Sequence, residues 1–329
     1  MNSATGTPGR TRSTVVRFVA TAVLGAMLLI VPTVVLLTAA DVVQHQHWSY
    51  GALLGVAAAC GVLLVAAVVR DVREGDRPRR DVAHPVRRVV GATVLSIALV
   101  GTLGAAWWLE PFGATDRALD ALGSDETVTV AETSGWYSFT PVGSASEVGL
   151  VYSPGARVDV RATAAILRPL AEAGYTVVSL KEPLGIAFVD IDQSADAIEA
   201  HPDVETWVVG GHSLGGVAAS SFAGANPETV DGLLLHASYP AGDISDSPLT
   251  VTSVSGSEDG LSTPEAIADS RQDLPAATTF VEIAGAVHAD FADYGPQPGD
   301  GAPTISRDDA QAQIVEASLA LLDGLDHQP

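Results

Sequence analysis

Cysteine is almost missing from this chain: its 329 residues include one, Cys60. A single thiol closes no disulfide within the chain, and no Cys/His cluster with metal-ligand spacing is present. Lysine is equally scarce, with Lys181 alone. From Glu110 onward, 7 Lys or Arg stand against 34 Asp or Glu, a balance of −27. An anionic surface of that size repels nucleic acid and anionic lipid headgroups, which excludes a nucleic-acid role. Its simplest consequence is solubility. With no cysteine there, this part must be held by a hydrophobic core, for which ~200 residues suffice.

Charge is also absent from three long stretches, residues 18–40, 48–69 and 89–109. Each matches the roughly 20 apolar residues that cross a bilayer core. None carries the polar stripe of a soluble core helix. The first could instead be a cleaved signal peptide ending at "TAA", but two more spans follow it directly. Arginines orient the spans. Arg10, Arg12 and Arg17 precede the first; residues 41–47 carry no Lys or Arg; Arg70, Arg73, Arg77, Arg79, Arg80, Arg87 and Arg88 fill the next loop. Basic short loops stay cytoplasmic, so the chain after residue 109 is expected outside. Trp48, Tyr50, Trp107 and Trp108 then fall at the outer interface, where amphipathic rings are favoured. Residues 1–109 hold 10 Arg or Lys and 5 Asp or Glu, a balance of +5. The expected organisation is a cytoplasmic arm (1–17), a three-span membrane region (18–109), a linker (110–127) and an outer domain (128–329). Gly91, Gly101 and Ala105 in the third span are suited to helix packing.

The outer domain alternates strand and helix patterns. One or two edge strands in "TVTVAETSGWYSFTP" precede strands at "EVGLVYSP", "YTVVSL", "TWVVGG", "VDGLLLHAS", "LTVTSVSG" and "TTFVEIAG". Helices are expected over 158–173, 192–200, 214–225, 264–271 and 306–325. This alternation predicts an α/β fold: a mainly parallel, doubly wound sheet covered on both faces.

Between the strand "TWVVGG" and the following helix lies Gly211-His212-Ser213-Leu214-Gly215, a G-x-S-x-G sequence. At such a junction the serine stands on a sharp turn, and glycines leave room for the backbone to reverse. The turn lifts the hydroxyl above the sheet edge. It also brings the helix N-terminus and the Leu214 N–H to where an oxyanion would develop. Ser213 is therefore the candidate nucleophile, against the alternative of a plain tight turn with a capping serine.

Here the sequence resembles the α/β-hydrolase superfamily. The likeness rests on "GHSLGG" (211–216), "LVYSPGARVD", "VVSLKEPL", "GSEDGL" and "GAVHADFADYGPQPGDG". Together these look like a compact, lidless group related to dienelactone hydrolases, and the likeness runs from about residue 128 to the last helix. It implies an α/β-hydrolase fold for the outer domain, with a triad in the order Ser, acid, His; the three transmembrane helices read from hydropathy precede this fold and lie outside the likeness. Three histidines follow Ser213. His288, on the loop after the last strand, stands where the fold requires the base. His236 ends a strand and reads as a core histidine, His327 is in the tail, and His212 is expected to point elsewhere on the turn as a packing or loop residue. For the acid, "SEDGL" offers Asp259, with Glu258 as fallback. Asp243 and Asp246 read as turn and cap residues. The second oxyanion donor by resemblance is the Ala156 N–H, although Pro154 replaces the usual histidine.

Lys181 follows a strand at the active-site edge, where it would orient a loop, meet an acidic substrate group, or pair with Glu182 or a nearby Asp. Asp290, Asp293 and Asp300 match no metal loop and read as solvated carboxylates. The expectation is a multi-pass cell-membrane protein with an extracytoplasmic serine hydrolase domain, acting on a small-molecule or lipid acyl ester without a cofactor. An acyltransferase with the same triad and a non-catalytic scaffold are the alternatives.

Overall fold

The computed structural model describes residues 12–74 and 85–327. Contacts divide the chain into two compact units. One comprises the chain up to Ala40 together with Tyr50–Glu110. The other joins Asp41–Ser49 to everything from Pro111 onward.

The first unit is built from three helices: α1 (Arg12–His45), α2 (Trp48–Glu74) and α3 (Pro85–Trp108). They contain 31, 27 and 19 residues long and apolar enough to cross a membrane. Only 22%, 17% and 6% of their most apolar windows are buried within the protein. Side chains such as Leu37, Leu63, Val94 and Ile97 therefore face outward and favour an apolar surrounding. The hydroxyls of Thr21, Thr33, Thr38, Ser96 and Thr102 each donate to the carbonyl four residues back. That leaves no hydroxyl proton among these five to be unpaired in hydrocarbon. The tight approach of α1 to α2 lies at Gly61, where an added Cβ would come within 2.8 Å of Leu29. Gly91 and Gly101 make no close helix contact among the described residues: a Cβ on either would meet nothing within 4 Å. The packed face of α3 presents Leu99 and Leu103 instead.

The second unit holds an eight-stranded sheet in the order β1-β2-β4-β3-β5-β6-β7-β8. Its strands are β1 (Val128–Glu132), β2 (Trp136–Pro141), β3 (Val148–Ser153), β4 (Thr176–Leu180), β5 (Thr206–His212), β6 (Gly232–His236), β7 (Thr250–Gly256) and β8 (Thr279–Ile283). The β1–β2 and β2–β4 pairings are antiparallel, and the other five are parallel. β3, β4 and β6 are buried along their whole length, as strands covered on both faces must be. One face packs on α5 (Ala164–Glu172) and α9 (Arg307–Asp326) through Ile166, Leu167, Leu170, Ile314 and Leu321. The other packs on α6 (Gln193–Glu199) and α7 (Leu214–Ala225) through Ala197, Ala219 and Phe222. The helix expected over 158–173 begins as a 3-10 turn, Val160–Thr163, before α5. A short α4 (Asp116–Asp120) and α8 (Pro264–Asp269) complete the unit.

Asp41–Ser49 is built into this unit by side chains. Asp41 pairs with Arg161 at 2.6 Å, and Arg161 pairs with the buried Asp159 at 2.8 Å. Gln46 Nε2 donates to Val158 O at 3.1 Å, and Ser49 Oγ accepts from Leu184 N–H at 2.7 Å. His45 Nδ1 lies 3.0 Å from Glu132 and 2.9 Å from the Tyr137 hydroxyl.

Candidate active site

Parallel strands end at one edge of a sheet, so segments distant in sequence meet there. Residues 154–156 follow β3, Lys181 follows β4, Ser213 follows β5, Asp259 follows β7, and His288 follows β8. The order β4-β3-β5 reverses the direction of winding between β3 and β5. A crevice opens at such a reversal, and Ser213 stands beside it.

Ser213 adopts φ 53 and ψ −125, a left-handed conformation that costs a non-glycine residue roughly 1–3 kcal/mol. Surrounding bonds hold it there. Its N–H donates to His236 O at 3.0 Å, and its carbonyl accepts from Ser238 Oγ at 2.7 Å. The flanking glycines have a steric cause. A Cβ on Gly215 would lie 2.1 Å from Ser153 O, and one on Gly211 would lie 2.5 Å from both Gly215 C and Ser153 O. The end of β3 thus presses directly on the turn. The same closeness brings 154–156 over it, since a Cβ on Gly155 would lie 2.7 Å from His212 Nδ1. Ala156 lies in the turn closed by Val158 N–H to Gly155 O at 3.0 Å, and Leu214 is the first residue of α7.

Asp259 and His288 come together. Asp259 Oδ2 lies 2.8 Å from His288 Nδ1, with both side chains buried. Asp259 Oδ1 accepts from Leu261 N–H and Ser262 N–H, each at 2.8 Å, which fixes the carboxylate's orientation. His288 Nε2 is buried and has no hydrogen-bond partner among the described residues. The His212 ring, next in sequence to Ser213, packs 4.5 Å centroid-to-centroid from the His288 ring. Glu258 is exposed, and its carboxylate accepts from Ser257 Oγ at 3.4 Å.

The other histidines separate by their partners. His236 Nδ1 meets the Tyr152 hydroxyl and its Nε2 meets Ser318 Oγ, both at 3.0 Å. Burial pushes its pKa down to about 3, so the ring is neutral. His327 is exposed at the end of α9. His212 is the packing residue expected, fully buried among His288, Phe291 and Tyr294, but its ring lies beside the candidate base rather than away from it. Burial first, then the neighbouring His288 and His236, hold its pKa well below the usual value. A ring beside the candidate base was not legible from the motif, because G-x-S-x-G leaves x unspecified.

Several charged residues also differ from expectation. Lys181 is buried, pairs with Glu132 at 2.6 Å and lies over the Tyr137 ring at 4.8 Å. Neither Glu182 nor an Asp is its partner. The antiparallel pairing of β2 with β4 carries the β1–β2 hairpin, and with it Glu132, alongside. Glu182 is itself buried, and burial raises its pKa to about 8. Asp290 and Asp293 are buried rather than solvated. Asp290 accepts from Val287 N–H at 3.0 Å, Asp293 accepts from Gln311 Nε2 at 3.1 Å, and Arg307 lies beside both. Asp243 caps Ser245 N–H at 3.0 Å, the turn role expected of it.

A doubly wound, mostly parallel sheet with a strained serine between its central strand and a helix defines an α/β-hydrolase fold. Residues 149–312 match the profile of the alpha/beta hydrolase family, and the chain belongs to that family. Comparison with curated proteins returned no match.

Proposed function

We propose that the protein is a membrane-anchored serine hydrolase that cleaves an ester or similar acyl bond through an acyl-enzyme. Ser213 Oγ attacks the acyl carbonyl, and His288 Nε2 takes its proton and returns it to the leaving group. Asp259 holds the Nδ1–H tautomer and stabilises the imidazolium. The N–H groups of Ala156 and Leu214 bind the oxyanion, at the head of α7 where the helix dipole adds to them. Water then attacks the acyl-enzyme by the same proton route.

One observation carries this reading: a buried Asp259–His288 bond of 2.8 Å, in which the His288 ring packs on His212, the residue before the strained Ser213, and its Nε2 has no hydrogen-bond partner among the described residues. Burial in apolar surroundings strengthens that bond relative to water and excludes competing donors. The three apolar helices supply the anchor, and the arginine distribution puts the second unit on the outer side of the membrane. A small-molecule or lipid acyl ester is the substrate class.

The test is hydrolysis of short-chain p-nitrophenyl esters by the full-length protein in detergent. Activity should fall at least ~10³-fold in Ser213→Ala, the scale expected when a triad member is removed. Equal activity in the variant would refute the assignment.

A further inference from the structure

The geometry points to Asp300 as a positioning residue that locks the candidate acid to the candidate base; this rests on the triad reading above. Asp300 was expected to be a solvated loop carboxylate. Its oxygens are instead the meeting point of four backbone donors from three separate segments. Oδ1 accepts from His288 N–H at 3.0 Å, from Gly260 N–H at 3.3 Å and from Gly301 N–H at 2.8 Å. Oδ2 accepts from Ala289 N–H at 2.9 Å.

The donors' identities give the inference its content. Gly260 directly follows Asp259, so its N–H belongs to the acid's own loop. His288 and Ala289 open the 3-10 turn His288–Phe291, and their N–H groups are the unpaired donors that every helical turn leaves at its start. One carboxylate thus caps the base's turn and grips the acid's loop at once. Charge-assisted bonds to backbone N–H groups are roughly twice as strong as neutral ones, and the geometry is correspondingly rigid.

Backbone packing supports the clamp. A Cβ on Gly260 would lie 2.6 Å from Gly299 O and 2.9 Å from Gly301 N, and one on Gly301 would lie 1.8 Å from Glu258 O. The loop carrying Asp300 therefore lies flat on the acid loop, with no side chain between. The loops that leave β7 and β8 are tied at their start by Ser257 N–H to Ile283 O at 3.1 Å, Glu258 N–H to Ala286 O at 3.0 Å and Gly285 N–H to Ser257 Oγ at 2.8 Å. Asp300 adds a grip from a third loop further out, at Gly260 and His288 themselves, and so braces the Asp259–His288 pair. It touches neither substrate nor the reacting atoms, and acts through His288.

The test uses the full-length protein in detergent, with a fluorophosphonate probe and a p-nitrophenyl ester. Asp300→Ala should lower the labelling rate constant and kcat by ~10- to 100-fold with KM little changed, as misplacement of a catalytic group does. The final labelling stoichiometry should stay that of wild type. A merely structural residue would lower the labelled fraction and leave the rate of the folded fraction intact. Asp300→Asn keeps an acceptor at the Oδ1 position and loses the bond to Ala289, so a several-fold loss is expected. If the Ala variant does not fold, the Asn variant carries the test. In an Asp259→Asn background the Asp300 substitution should cost little more, because the pair it positions is already broken.

Wild-type rates in the folded Ala variant, in the Asn variant where Ala does not fold, or a full additional loss in the Asp259→Asn background, would overturn the proposal. A wild-type protein that neither labels nor hydrolyses would overturn the triad reading and this inference together. A labelled wild type with an unimpaired Asp300 variant would sink this inference alone.

Discussion

His212 and His288 pack ring to ring, 4.5 Å between centroids, and His212 is the residue that precedes Ser213. The strained turn and the candidate base are thereby in contact through a neutral imidazole whose burial keeps it uncharged. A charged ring there would repel the imidazolium that forms on His288 during catalysis. His212→Ala should open a cavity against His288 and cost roughly 2–5 kcal/mol of stability. It should also lower kcat by about tenfold with little change in KM, since a loosened base costs orientation. Urea unfolding and ester kinetics on the same preparation would check both; an unchanged kcat would mean that His212 only fills space.

Gly215 admits no side chain, because a Cβ would lie 2.1 Å from Ser153 O. Gly215→Ala must displace either the end of β3 or the head of α7, both of which flank Ser213. The expected result is a loss of activity of at least ~100-fold with a lowered melting temperature. Retention of wild-type kinetics would show that the turn is looser than its geometry.

Glu182 is a buried carboxyl whose pKa is raised by burial from 4.5 to about 8. Its folded form therefore holds a proton that its unfolded form releases. The sign follows: below pH ~4.5 both states are protonated and the group costs nothing, and the penalty grows as pH rises towards about 8. Glu182→Gln should melt higher than wild type at pH 8, and the gap should close on going down to pH 4.5. Melting curves across that range test it, and a gap independent of pH would contradict it.

Asp41–Ser49 packs as part of the hydrolase unit, although it is flanked on both sides by helices of the other. Arg161 stands between the exposed Asp41 and the fully buried Asp159. Arg161→Met leaves the Asp159 carboxylate without its cation and should cost about 3 kcal/mol. Asp41→Ala breaks only the exposed half of the network and should cost under ~1 kcal/mol. A fragment beginning at Pro111 should be less stable than the full chain; equal melting of the two would show that the docked segment contributes nothing.

The parts of this molecule legible in its sequence are those written in local pattern. Three uncharged runs gave α1, α2 and α3, and β-branched runs between helix patterns gave the parallel strands. G-x-S-x-G at a strand–helix junction located the turn at Ser213. Asp259 and His288 could be picked from several acids and histidines because each follows the end of a strand in the required order. What the pattern left unread is held by side-chain contacts across long sequence separations. Lys181 meets Glu132 only because β2 pairs with β4. His212 meets His288, and Asp300 grips Gly260 and His288, only because β5, β7 and β8 end at one edge. The docking of residues 41–49 rests on Asp41, His45, Gln46 and Ser49, four residues with no periodicity to mark them.

The most direct test of the central claim is fluorophosphonate labelling of the full-length protein, followed by mass spectrometry of the modified peptide. The account predicts one adduct, on Ser213, formed at least ~10³-fold more slowly in His288→Ala and not at all in Ser213→Ala. A folded wild-type protein that takes no label, or an adduct on any other residue that survives Ser213→Ala, would contradict it.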